Sequence, residues 1–328
     1  MPSQFDKDLT NIEAQYLGEP ADRRPLFAFV LSLIFPGMGF AYLGRWLDAS
    51  LVAIGGAVLW LGFAVSWMRL DFYPTQPLLG FSSGWLVLLL LQAFDASRAA
   101  SRSSNYILKP TNHLVAYVTA GLLLFYLPVF GLGQWMTTQV WSVEEVRAES
   151  MYPTLLDGER VWVDRRAYSE QPPRLADVIA YRADGSEHLS FARVVGQPGQ
   201  SVVVSEHGFY VDDSPAPQHH LTQDSLALVA RRSGERNATS YVVEELAERR
   251  YVLSIGGDPL SSEPRRMDAE DGVLVLHDAR GDLGDSRTAG SVPLAAIVGR
   301  AVFLAGGGPP ELVPQRLARR VDPAPVER

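Results

Sequence analysis

A chain of 328 residues with a formal net charge of −8 has room for two structural units of ordinary size. Its acidic balance excludes the clustered basic surface that nucleic acid requires, and the absence of cysteine excludes disulfides, thiolate metal sites and a cysteine nucleophile. Lysine occurs only at positions 7 and 109, so every basic side chain beyond Lys109 is arginine or histidine.

In chain order, residues 1–24 read as a cytoplasmic N-terminal segment and residues 25–140 as a multi-span helical membrane domain. From Arg24 to Met136 the chain is mostly Leu, Val, Phe, Ala, Gly and Trp with few charges. The stretches 51–68, 77–94 and 114–136 each have the length of about 18 to 22 residues that a helix needs to cross the hydrocarbon core. A fourth apolar stretch, 26–43, carries FPGMGFAYLG, and Pro36, Gly37 and Gly39 break a helix near its middle. It is expected to re-enter the cytoplasmic side as a hairpin and not to span. Arg98, Arg102 and Lys109 mark the loop after the second full span as cytoplasmic, which sends the last span outward and the polar half to the far side of the bilayer. Arg23 and Arg24 belong on the cytoplasmic side by the same rule.

Beyond Val143 the pattern changes to short β-prone runs separated by turn residues: ERVWVD, DVIAYR, LSFARVV, QSVVVS, GFYVDD, YVVEEL, YVLSI, GVLVLH and AIVGRAVFL. Such spacing predicts a mostly antiparallel β domain over 143–305. Residues 214–270 are polar and arginine-rich and read as an inserted cap with few core contacts; its NAT at Asn237 reads as a chance sequon. Residues 306–328 are rich in Pro and Gly and read as a flexible tail.

The runs also carry ordered motifs. ESMYPTLLDGERVWVDRRAY, RLADVIAYR, FARVVGQPGQSV and HDARGDLGDSRTAGSVPLAAIVGRA together resemble the four boxes of type I signal peptidases, membrane-bound serine endopeptidases that remove signal peptides from exported proteins. The resemblance covers about residues 143–304 and implies that family's mostly-β catalytic fold and no cofactor or metal. Its partners would be the bilayer and signal-peptide-bearing or membrane-anchored polypeptides. It also implies a bacterial inner membrane location with the β domain on the periplasmic, extracytoplasmic face. Ser150 occupies the nucleophile position. The family's base is a lysine kept neutral by desolvation, and its position is Ala192. Arg193 beside it cannot replace the lysine, since guanidinium stays protonated.

Further departures surround the same place. Ala148 stands where a hydroxyl of the oxyanion hole often lies, Leu283 stands where a serine supports the lysine, and His277 replaces a glycine that borders the lysine. Asp278, Arg280, Asp285, Ser286 and Arg287 match the last box. His277 is therefore the candidate base, its imidazole filling the space vacated at Ala192, with Asp285 as the candidate orienting group. His188 lies four residues before Ala192, about 13 Å along a strand, and is too far to serve. His219 and His220 read as solvated loop residues. Two functions stay open: a peptidase with an altered base, and a pseudoprotease that binds signal-peptide-like segments without cutting.

Overall fold

The computed structural model describes residues 20–69, 75–103, 106–107, 114–205, 208–222, 225–226, 229, 240–256, 264–317, 319–321 and 324–325. Most of the expected N-terminal segment, Lys109, Asn237 and parts of the expected cap and tail lie outside them. The chain divides into two units, Met1–Gln134 and Trp135–Arg328.

The first unit is helical. Helix α1 (Pro25–Ile34) starts on a proline, whose preset φ and missing N–H suit a first helical position. It stops at Phe35, which is extended as a residue before proline prefers to be. Gly37 then turns the chain at φ +82°, and a Cβ there would lie 2.6 Å from the Ala49 carbonyl oxygen. Helix α2 (Met38–Tyr42) follows. The exposed backbone at this break is satisfied from another helix: Gly37 N–H donates to Gln92 Oε1 at 3.1 Å, and Gln92 Nε2 donates to the Ser32 carbonyl. Residues 26–43 are thus two short helices around a bend, joined by a core of Ala28, Leu31, Phe40 and Ala96.

Helices α3 (Trp46–Arg69) and α4 (Thr75–Ser101) are the long ones. Within them Trp46–Ser66 and Leu79–Ser101 are long and apolar enough to cross a membrane, with mean hydropathy of 1.9 and 1.4. Only 11% and 17% of those windows are buried, so these are not core helices of a water-soluble unit; their apolar faces need a hydrocarbon solvent. The third expected span is helical from Leu114 to Val140 but in pieces, α5 (Leu114–Gly121) and α6 (Leu127–Trp135) each followed by π-helical turns.

The second unit is built on three antiparallel sheets. The largest contains β1 (Trp141–Glu145), β2 (Glu159–Asp164), β3 (Val178–Arg182), β4 (Leu189–Gly196), β12 (Leu274–Leu276) and β13 (Ile297–Gly307), in the order β12-β4-β3-β13-β2-β1. Side chains alternate across it. Val178, Ala180 and Phe191 pack with Met151 and Leu155 on one face, while Ile179, Tyr181, Ala192 and Val194 pack with Val273 and Val275 on the other. A second sheet joins β5 (Ser201–Ser205), β6 (Gly208–Val211), β7 (Ser214–Ala216) and β11 (Arg265–Asp268). The third joins β8 (Gln218–His220), β9 (Ser240–Leu246), β10 (Arg249–Ile255) and β14 (Ala324–Pro325).

Two expectations are corrected here. The expected cap is not poor in core contacts: Val242, Leu246, Tyr251 and Leu253 join Val202, Phe209 and Leu276 in one buried cluster, because the period-2 alternation of β9 gives that hairpin an apolar face. Nor is the described part of the tail a loose extension. Helix α8 (Val313–Arg316) buries Arg316, whose Nη2 donates to Glu159 Oε2 at 2.8 Å, and Leu304 N–H donates to the Arg319 carbonyl at 2.9 Å.

Candidate active site

Ser150 lies in the loop between β1 and β2. The loop is closed at its neck, where Val146 N–H donates to the Glu159 carbonyl at 2.7 Å and Gly158 N–H to the Val146 carbonyl at 2.8 Å. Met151 and Leu155 are fully buried and act as its anchors, and Leu156 N–H donates to Glu159 Oε2 at 2.8 Å. The loop is also fastened to the segment after β12: Ala279 N–H donates to the Ser150 carbonyl at 2.9 Å, and the Thr154 hydroxyl donates to Asp278 Oδ2. Asp278 in turn receives Arg193 Nε at 2.8 Å, and both partners of this pair are fully buried. Burial works to strip the proton from Arg193, but the adjoining Asp278 carboxylate overcomes it and raises the guanidinium above its usual range. Three segments remote in sequence therefore fix the backbone at Ser150. Its side chain is half-buried and its hydroxyl makes no hydrogen bond among the described residues.

Ala192 sits in β4 opposite Ile179, fully buried among Tyr181, Val194, Val273 and Val275. His277 follows Leu276 at the end of β12. It is 5% exposed. Its N–H donates to Asp285 Oδ2 at 2.9 Å, and its carbonyl accepts from Arg280 Nη1 at 2.9 Å. The ring turns Nδ1 toward Asp282 Oδ2 at 3.5 Å, too long for a hydrogen bond, and that buried nitrogen has no other partner. Burial lowers the imidazole pKa from its ordinary 6.5, against the opposing pull of Asp285 and Asp282. The ring is accordingly neutral near pH 7. No hydrogen bond joins it to Ser150.

Asp285 does not orient that ring through a hydrogen bond. Its oxygens accept from the His277 backbone, from Arg287 N–H at 3.0 Å and from Arg287 Nε at 2.8 Å. Burial would raise this carboxyl, but the Arg287 bonds hold it below the usual carboxylate range. The acid facing the imidazole is Asp282, brought there by the turn between β12 and helix α7 (Ser286–Ala289). The sequence carried no signal for it, since its role depends on how that turn closes. A second group that sequence reasoning passed over is fully buried Glu244, in β9. It receives Tyr251 Oη at 2.7 Å and an Arg280 guanidinium nitrogen, and so ties the expected cap to the segment that holds His277.

Of the remaining positions, Ala148 and Leu283 are exposed, and His188 is exposed with its Nε2 2.7 Å from Arg147 Nη1. His219 and His220 are exposed in β8. No group of three or more potential metal ligands occurs among the described residues.

Residues 119–305 match the family model described as signal peptidase, peptidase S26. The chain is similar to thylakoidal processing peptidase 1, chloroplastic, of Arabidopsis thaliana, at 27% identity over 49% of this chain and 40% of that one. It is similar to signal peptidase I of Bacillus amyloliquefaciens, at 24% identity over 41% of this chain and 66% of that one. A crystal structure of a signal peptidase I from Enterococcus faecalis V583 matches at 24% identity and a TM-score of 0.23, over 40% of this chain and 97% of that chain. The chain thus spans less than two thirds of either of the first two relatives.

Proposed function

We propose that this chain, which belongs to the signal peptidase family, peptidase S26, is a membrane-anchored serine endopeptidase acting on exported precursors outside the cytoplasm. Ser150 is the nucleophile and His277 the base, in place of the lysine vacated at Ala192. The observation that carries this reading is a buried imidazole on the segment whose backbone also holds Ser150. Lysine chemistry has no source, since residues 110–328 contain none.

In the proposed reaction Ser150 Oγ attacks the scissile carbonyl carbon and its proton passes to His277 Nε2. The imidazolium then returns that proton to the leaving amine as the C–N bond breaks. Water, deprotonated by the same ring, hydrolyses the acyl-enzyme and restores Ser150. Asp282, facing Nδ1, stabilises the transient imidazolium. Serine and imidazole close on one another when substrate binds as an added strand, as catalytic hydrogen bonds often tighten only in the complex.

A second reading is binding without cutting. It is favoured by the missing Ser150 to His277 hydrogen bond and by an Ala192 sealed in apolar packing. Full-length protein in detergent, incubated with a signal-peptide-bearing precursor, separates the two. The peptidase reading expects cleavage that Ser150→Ala and His277→Ala each reduce by about a hundredfold or more. Cleavage surviving either change sinks the assignment, and precursor binding without cleavage by the unsubstituted protein establishes the second reading.

A further inference from the structure

The helical unit holds a feature that proteolysis does not use. Helices α3 and α4 leave between them a groove of about 600 Å³, with Leu51, Leu88 and Leu91 on its walls and Asp48, Asp95 and Arg98 among the residues lining it. From Leu88 to Arg98 the α4 wall runs ten residues, roughly 15 Å, which is about the depth of one leaflet of hydrocarbon. The charged groups lie near the start of α3 and the end of α4, and the apolar wall lies on the inward side of them. Asp48 is bonded to Arg45 at 2.7 Å. Asp95 and Arg98, one turn apart on α4, are both exposed and make no ion pair with one another or with any other described residue.

We infer that this groove binds one phospholipid with a primary-amine headgroup, of the phosphatidylethanolamine type. An apolar trench with charges of both signs at one end complements an amphiphile that carries both signs at its own end. The guanidinium of Arg98 takes the phosphate, to which it offers a fork of donors. The ammonium, with three N–H donors, is held by the Asp95 carboxylate. An acyl chain lies along Leu51, Leu88 and Leu91. A purely anionic headgroup would leave Asp95 facing like charge, and a purely basic segment would meet Arg98. A quaternary ammonium keeps the charge but lacks the N–H donors that the carboxylate would accept.

The test uses full-length protein in mixed micelles containing equal fractions of phosphatidylethanolamine, phosphatidylglycerol or phosphatidylcholine, with bound lipid read by native mass spectrometry. Retention of one phosphatidylethanolamine over the other two is expected. Asp95→Asn and Arg98→Gln should each weaken it by about threefold to fivefold, the size of a single solvent-accessible charge contact. Leu91→Trp, at a side chain that is 68% exposed and so tolerant of change, should block the groove while leaving all charges in place. Equal retention of the three lipids overturns the proposal, as does indifference to Asp95→Asn together with Leu91→Trp. Displacement of the lipid by an equimolar peptide with a basic end and an apolar run would make the groove a peptide site and overturn it likewise. Precursor cleavage is measured separately and does not bear on these outcomes.

Discussion

At the scale of single residues the site turns on one titration. His277 has a folded-state pKa below its ordinary 6.5, because burial disfavours the charged ring more than Asp285 and Asp282 favour it. A lowered histidine means that the unfolded chain takes up the proton first. Stability is therefore unaffected by this group above pH 6.5, declines as the pH falls from 6.5 to the folded value, and is level below that. Thermal melts of the unsubstituted protein and of His277→Leu should diverge in that window, the variant losing less. If His277 is the base, the acid limb of kcat/KM should lie below pH 6.5 as well, and a limb at or above 6.5 would assign it to another group. His277 was legible as a candidate because it stands where a family motif has glycine. Its true neighbours were not, because the roles of Asp282 and Asp285 depend on which carboxylate the turn after β12 aims at the ring and which at backbone N–H groups. Both are acids within a few residues of one another, and strand alternation says nothing about a turn.

Among elements, the strands were the readable part. The alternation in ERVWVD and YVVEEL marks β2 and β9, whose burial alternates along the strand, and the short continuous apolar run in DVIAYR marks β3, which is buried on both faces. The docking of the C-terminal segment was unreadable, because it depends on a pairing between residues 157 positions apart, Arg316 and Glu159. Composition made 306–328 look like a linker, and an ion pair that is almost fully buried on both sides overrides composition. Glu159 also receives Leu156 N–H from the loop carrying Ser150, so the pair secures that loop and the tail together. Arg316→Ala would leave the Glu159 carboxylate buried without its cation, at a cost of about 3 to 5 kcal/mol. Denaturant melts should register that loss, and limited trypsin digestion should cut at Arg319 and Arg320 faster than in the unsubstituted protein. A variant as stable and as protease-resistant as the parent would show that the segment is held by other contacts.

Over the whole molecule, the positions of the charges follow from what the helices can cross. Helices α3 and α4 are two membrane-crossing candidates in succession, so the chain before the first and after the second must lie on the same side of the bilayer. Basic residues sit at both of those ends: Arg23, Arg24 and Arg45 before α3, and Arg98 and Arg102 at the end of α4. Their agreement satisfies the positive-inside rule with a single cytoplasmic face, provided that α1 and α2 do not span. The bend at Phe35–Gly37 supplies the reason, since it leaves α1 only ten residues long, roughly 15 Å against a hydrocarbon core of about 30 Å. Under the proposed function, one further crossing by the helical turns from Leu114 to Val140 would place the β unit outside the cytoplasm, on the side where the proposed precursor substrates emerge. A reporter active only outside the cytoplasm should be active when fused after Ala305 and silent when fused after Lys109. An even number of crossings before the β unit would give a silent reporter after Ala305, and in that case neither the periplasmic location nor an exported precursor as partner could stand, whatever the chemistry at Ser150.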